Sequence, residues 1–241
     1  MRAPLVLLHG FMGRGADWDP VREHLPERGD VHAPDLPGHG TRADARPEAA
    51  TMDAEADRLV ARLDGPADWV GYSLGGRLAL HLAVRHPDAV RRLVLVSASP
   101  GLRTEAERAA RRETDADRAA ALVADFPAFV DAWYRMPLFA LPDALRQRLT
   151  ADRTAHNDPA GLARSLAGMG TGAQPSHWDA LAGISAPTLA VAGHRDAKFV
   201  ALAGEMATAP AIRAATVADA AHLLPAERPA ALAQLLRPHF D

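Results

Sequence analysis

The sequence predicts an α/β fold: a mostly parallel central sheet flanked by helices and interrupted by a helical insertion. Three observations predict it. Short apolar runs of strand length alternate with helical patterns through the first hundred residues, the order that builds parallel sheets from strand–helix–strand units. The alternation then stops, and from about residue 100 to residue 170 the pattern is helical and rich in arginine and alanine. The strand signal finally returns twice before the C-terminus, each time followed by helical sequence.

Residues 4–8 form an apolar run too short for a helix, ending at His9-Gly10. A loop over 11–15 leads to a helix around 19–25 and a second short strand near 30–33, which runs into the turn-rich Pro34-Asp35-Leu36-Pro37-Gly38-His39-Gly40. Met52, Ala56, Leu59, Val60 and Leu63 recur at helical spacing, with Asp53, Glu55 and Arg62 expected outside. A third strand over 68–72 passes at once into a helix over 74–85, and a fourth strand spans 92–96. After the insertion, 188–192 and 212–217 are strands. The expected organisation is a core of residues 1–99 and 171–241, with residues 100–170 as a helical cap whose length suits an active-site lid better than a structureless loop.

Composition narrows the function. The chain has 241 residues, 48% hydrophobic and 24% charged, as in an ordinary globular protein. A formal net charge of −3 offers no basic excess for nucleic acid or an anionic membrane. The absence of cysteine excludes disulfides, thiolate metal sites and a cysteine nucleophile together. The longest apolar runs, 5–8 and 93–96, fall far short of the ~18 residues of a membrane span. The N-terminus lacks the features of a secretory signal. A soluble, cytoplasmic monomer is expected. Lys198 is the only lysine and Asn157 the only asparagine; codon usage in a GC-rich genome explains both, so an arginine is not functional merely for being arginine.

The strongest motif is Gly71-Tyr72-Ser73-Leu74-Gly75, followed by Gly76. It matches the G-x-S-x-G nucleophile elbow and sits where that motif must, between a strand and a helix. The sharp turn strains the serine, and glycines on either side let strand and helix approach. Ser73 then stands at a helix N-terminus, which favours negative charge. An oxyanion hole needs the N–H after the serine, that of Leu74, and a second from the loop after the first strand, that of Phe11. His9, in that loop, reads as a loop-ordering residue.

Eleven histidines compete to be the base. In this topology the triad runs serine, acid, histidine along the chain, the last two on loops after late strands. His222 follows the last strand and precedes the final helix; His81, His86 and His239 read as solvated surface. Asp196, in Gly193-His194-Arg195-Asp196, is the acid. Asp219 is too close to His222 in sequence to orient its ring, and Ser97-Ala98-Ser99-Pro100 offers no carboxylate. The expected triad is Ser73, Asp196 and His222.

His9-Gly10-Phe11, Asp35-Leu36-Pro37-Gly38-His39-Gly40 and the serine elbow together resemble the α/β-hydrolase superfamily. That resemblance implies fold and triad but not reaction, because the fold hosts esterases, lipases, dehalogenases and lyases. A dehalogenase would usually carry aspartate at the elbow. A narrower resemblance, to the lyase family of menaquinone biosynthesis, covers most of the chain. It rests on the elbow through Arg77, on Ser99-Pro100-Gly101-Leu102 with Glu105, Arg108 and Arg111, and on Phe129, Trp133-Tyr134, Pro137-Leu138-Phe139, Arg153 and Asn157. It continues through Ser165-Leu166, the run Thr171-Gly172-Ala173-Gln174-Pro175-Ser176, and Asp196-Ala197-Lys198-Phe199. The cap is normally the most variable part of the superfamily, so matches there are the more specific.

The resemblance implies a small-molecule substrate with three carboxylates, one on an enolpyruvyl group that leaves as pyruvate, and a reaction that needs neither cofactor nor metal. Guanidinium forks suit such a trianion. Arg77 lies one turn into the elbow helix on the Ser73 face; Arg111 and Arg153 would descend from the cap; Tyr72 and Trp133 would flank the substrate. Arg108, Arg112, Arg146 and Arg148 read as surface charges. The chain departs from the family pattern at Ala221, where a glycine usually precedes the triad histidine, and at the missing second histidine just after it. The local pocket wall is therefore expected to be more apolar. Two other readings stay open: a serine carboxylesterase using the triad covalently, and a non-catalytic hydrolase-fold receptor. A buried Arg77 distinguishes the first of these from the lyase, since a neutral ester gains nothing from a cation beneath the nucleophile.

Overall fold

The computed structural model describes residues 3–27 and 29–240. Six strands, β1 (Leu5–Leu8), β2 (Val31–His32), β3 (Ala67–Tyr72), β4 (Val90–Val96), β5 (Thr188–Gly193) and β6 (Ile212–Val217), form one sheet in the order β2-β1-β3-β4-β5-β6, every pair parallel. The helices are α1 (Asp19–Arg22), α2 (Met52–Val60), α3 (Leu74–Arg85), α4 (Glu105–Ala124), α5 (Phe126–Tyr134), α6 (Asp143–His156), α7 (Pro159–Met169), α8 (Ala197–Met206), α9 (Leu224–Glu227) and α10 (Pro229–Phe240). Among the described residues no helix is long and apolar enough to cross a membrane.

Leu5 to Leu8 are buried throughout, as are all six residues of β3 and of β5, because helices cover both faces of a parallel sheet. One face packs Trp69, Leu93 and Leu95 with Leu78 and Leu82 of α3, flanked by α2 and α8; the other packs Leu5, Val70 and Val94 against α1 and α10. The chain runs from β1 outward to β2 and then back to β3, so strand order reverses at β1. In open α/β sheets ligands bind outside the carboxyl ends of strands at such a point. Ser73, after β3, and Phe11, after β1, lie on either side of it.

The four helices α4–α7 fill the interval between β4 and β5, where sequence pattern predicts them. Thr104 and Glu107 cap α4 reciprocally, and Asp125 and Asp158 cap α5 and α7, each supplying an acceptor for first-turn N–H groups. The chain leaves the sheet and returns to it along one seam. Gln174 donates to the Ser99 carbonyl (3.0 Å), the His177 N–H to that of Pro100 (2.8 Å), and the Trp178 indole to that of Gly101 (2.9 Å). Gly101 has φ +107°, and a Cβ there would stand 2.7 Å from the Pro175 carbonyl.

Four polar residues read as surface are interior. Glu55 is fully buried, because Arg42 from the loop after β2 (2.7 Å) and Arg58 (2.8 Å) close over it. His81 is buried because α2 covers α3; its ring meets His177 (3.0 Å) and Asp53 (2.8 Å). His239 is buried in the last turn of α10, which packs on β4. Arg146 is buried between Asp131 and Asp143. In each case a partner distant in sequence or a neighbouring element removes the side chain from water, and one-helix periodicity carries no trace of that. His86, half-buried, bonds Asp57 at 2.6 Å.

Candidate active site

Ser73 has φ +50° and ψ −106°, a strained conformation for a residue with a side chain. The glycines around it are steric necessities. A Cβ at Gly71 would lie 2.2 Å from the Gly75 carbonyl oxygen, one at Gly75 2.3 Å from that of Leu8, and one at Gly76 2.6 Å from the Ala98 methyl. The Ser73 N–H donates to Val96 (2.9 Å) and that of Gly75 to His9 (3.0 Å), which fixes the turn to β4 and β1. Leu74 is the first residue of α3, where N–H groups lack an intrahelical partner.

The His222 ring stands between the other two polar groups. Its Nδ1 is 2.7 Å from Asp196 Oδ2 and its Nε2 is 3.3 Å from Ser73 Oγ. Phe199, Tyr72 and Phe139 hold the ring, at centroid distances of 4.5, 5.6 and 5.7 Å. The arrangement can pass a proton from the serine to the imidazole while the carboxylate orients it.

His9 has both ring nitrogens engaged. Nε2 accepts from the Leu36 N–H (2.9 Å) and Nδ1 donates to the Gly10 carbonyl (2.8 Å). Burial depresses its pKa to about 4, so it is neutral and ties the loop after β1 to the one after β2. That is an ordering role.

A cavity of about 440 Å³ opens on Ser73 and His222 and is lined by Phe11, Tyr72, Leu74, Arg77, Arg111, Trp133 and Arg153 as well. Asp196 stands behind His222, outside the lining. Arg77 is buried and donates to the Met169 carbonyl (2.9 Å) and Gln174 Oε1 (3.2 Å). Among the described residues no carboxylate pairs with it. Burial, reinforced by the nearby Arg111 cation, lowers its pKa to about 10, which leaves it charged at neutral pH. Arg111 bonds Asp115 at 2.7 Å.

Arg153 is more heavily engaged. It holds Asp17 through both terminal nitrogens (2.7 Å each), Asp152 (2.8 Å), and the Tyr134 hydroxyl through Nε (3.1 Å). Burial opposes its charge, but Tyr134 and Asp17 more than offset that and raise its pKa. Four of its five N–H donors are thus committed, and one on Nη2 is left. Burial pushes the Tyr72 phenol up, so it stays a donor. Trp133 packs edge-on to Phe11 (5.4 Å) and stacks on Phe129 (5.8 Å).

The sequence reading missed Arg118, which lines the cavity, lies over the Trp133 ring (5.5 Å) and touches Asp115 only at 3.5 Å. Its signal was available: residues 111, 115 and 118 share one helix face. It also missed Tyr134, Phe139 and Phe199 as lining residues. Among the described residues no cluster of ligands suits a metal ion.

The model of the alpha/beta hydrolase family matches residues 5–235. The chain is 36% identical over 241 residues to the 2-succinyl-6-hydroxy-2,4-cyclohexadiene-1-carboxylate synthase of Enterobacter sp. (strain 638), covering 97% of this chain and 91% of that one. Among solved structures, MenH from S. aureus superposes with a TM-score of 0.90 at 32% identity, over 97% of this chain and 91% of that one. An esterase from Thermogutta terrifontis, solved with malate bound, superposes with a TM-score of 0.82 at 27% identity, over 98% and 88%.

Proposed function

We infer the reaction from the premise that the chain belongs to the alpha/beta hydrolase family and, within it, to the 2-succinyl-6-hydroxy-2,4-cyclohexadiene-1-carboxylate synthases of menaquinone biosynthesis. It is a lyase, which eliminates pyruvate from 2-succinyl-5-enolpyruvyl-6-hydroxy-3-cyclohexene-1-carboxylate. The polypeptide acts as a cytoplasmic monomer, with residues 100–170 as a cap over a core of 1–99 and 171–241.

In this reading Ser73, its proton drawn to His222 Nε2, removes the ring C2 proton beside the succinyl ketone. The Phe11 and Leu74 N–H groups stabilise the dienolate oxygen. Electrons return through the ring: the C3–C4 double bond is replaced by C2–C3 and C4–C5 double bonds, the C5–O bond breaks, and enolpyruvate leaves and ketonises to pyruvate. Asp196 keeps the imidazole in the tautomer that accepts from serine. Arg77 and Arg111 take substrate carboxylates, Arg153 contributes its remaining donor, and Tyr72 and Trp133 flank the ring.

The observation that carries the reading is Arg77: a buried guanidinium in the cavity, four residues beyond the nucleophile, with no carboxylate partner among the described residues. A buried charge is costly unless paired, and an anionic substrate supplies the pair. The test is the rate of pyruvate release from the pathway substrate, generated in situ by the preceding enzyme, against spontaneous elimination. Wild-type protein is expected to accelerate release by several orders of magnitude and Ser73→Ala to fall to near background. No acceleration by the wild type would assign the triad to ester hydrolysis instead.

A further inference from the structure

We propose that Glu227 is a positioning residue for both His222 and Asp196, acting through the peptide groups on either side of the histidine. The proposal rests on Ser73, His222 and Asp196 being the reacting triad. The Glu227 side chain is buried, and the residue is the last of the four-residue α9. One carboxylate oxygen accepts from the Ala221 N–H (2.9 Å) and the other from the Leu223 N–H (3.0 Å). The residue between those two peptides is His222, so a single side chain fixes the backbone that carries the imidazole.

The same carboxylate reaches the acid loop. Arg195, which directly precedes Asp196, donates to Glu227 Oε2 (3.2 Å) and to the Asp219 carbonyl (3.1 Å), and its own N–H donates to the Ala220 carbonyl (2.9 Å). Gly193 allows this closeness: a Cβ there would lie 2.1 Å from the Ala221 carbonyl oxygen. The loops after β5 and β6 are therefore locked to each other, and the 2.7 Å bond between Asp196 and His222 inherits its length from that lock. A carboxylate is required, because one amide oxygen cannot replace two acceptor oxygens facing two N–H donors. Misplacing a base by about 1 Å costs on the order of 100-fold in rate.

The test compares wild type, Glu227→Gln, Arg195→Met and Ser73→Ala in pyruvate release and in hydrolysis of p-nitrophenyl acetate, with melting midpoints alongside. Glu227→Gln is expected to lower kcat by about 10- to 100-fold with KM within about two-fold, and to abolish the far-downfield proton resonance of His222 bonded to Asp196. Arg195→Met removes an exposed side chain, leaves both N–H bonds, and is expected to lower kcat by about two- to five-fold. Glu227→Gln with wild-type kcat and an intact downfield resonance would overturn the proposal. So would Arg195→Met at wild-type kcat if Glu227→Gln does not fold. Wild type without pyruvate release but with Ser73-dependent ester hydrolysis would sink the lyase reading alone, and the ester assay then judges the clamp.

Discussion

At the strand ends, Ser73 and His222 are held by backbone: by glycines that leave no room for a Cβ, by N–H groups bonded to neighbouring strands, and by a carboxylate that grips two peptides. Across the cavity, in α4–α7, polar side chains are held by one another: Arg111 and Arg118 share Asp115, and Arg153 is divided among Asp17, Asp152 and Tyr134. The glycine and strand N–H restraints hold whatever the charge state, and the Glu227 grip needs only its own carboxylate. Side-chain pairing sets how much positive charge faces the cavity, and a bound anion competes for that charge. In the proposed reading the first region reacts and the second chooses what reacts.

The sharpest way to break that comparison is Arg77, which grows from the strand-end region but, in the proposed reading, serves selection. Arg77→Met is expected to lower kcat/KM for elimination by roughly 10- to 100-fold, the worth of a charge-assisted hydrogen bond, and to leave p-nitrophenyl acetate hydrolysis within about three-fold. Equal losses in both assays would make Arg77 a structural residue that holds Met169 and Gln174.

Acid should separate the regions next. His9, His39 and His177 all lie outside α4–α7, and burial depresses their pKa values to about 4, 3 and 4. Folded, they stay neutral; unfolded, they take protons below their ordinary pKa near 6.5. The unfolded state therefore gains protons first as pH falls, and stability that is complete above about pH 6.5 is lost progressively down to about pH 4. A drop of several degrees in melting midpoint between pH 7 and pH 5 is expected. A midpoint that stays flat over that range would refute it.

The mildest test lies within α4. Asp115→Asn keeps one acceptor oxygen, enough for Arg111 (2.7 Å) but not also for the Gly172 N–H (3.2 Å), and removes the negative charge that neutralises Arg111 and Arg118. KM for the anionic substrate should fall by about two- to five-fold, the scale of a half-exposed ion pair. A rise in KM would mean that Asp115 orients those guanidinium groups more than it neutralises them.

The same division separates what was legible in the sequence from what was not. The elbow was legible because its motif is contiguous in sequence, although Gly75 and Gly76 are required by Leu8 and Ala98 from other elements, and the strands because buried parallel strands are continuous apolar runs. The expected order of serine, acid and histidine follows from topology, which is how sequence alone could single out Asp196 and His222, two loop residues that the structure brings to Ser73. Glu55 and Arg146 could not, since their burial depends on Arg42 and Asp131 arriving from elsewhere. Nor could the occupancy of Arg153 by Asp17, across 136 positions. Arg118 was legible in spacing, but the arginine-rich composition hid it among surface charges.

The seam joining Ser99, Pro100 and Gly101 to Gln174, His177 and Trp178 carries a further consequence. Because the chain departs and returns at adjacent points, the inserted helices form a closed excursion from the sheet, tied to the core again through Arg153 and Asp17, Arg164 and the Ala43 carbonyl, and Arg77 and the Met169 carbonyl, and each doubling of a loop's length adds only about 0.6 kcal/mol of closure entropy. Closure entropy therefore sets little limit on the length of the segment between, and what ties its interior to the sheet is the handful of side chains, Arg153 and Arg164 among them, that reach back to the core.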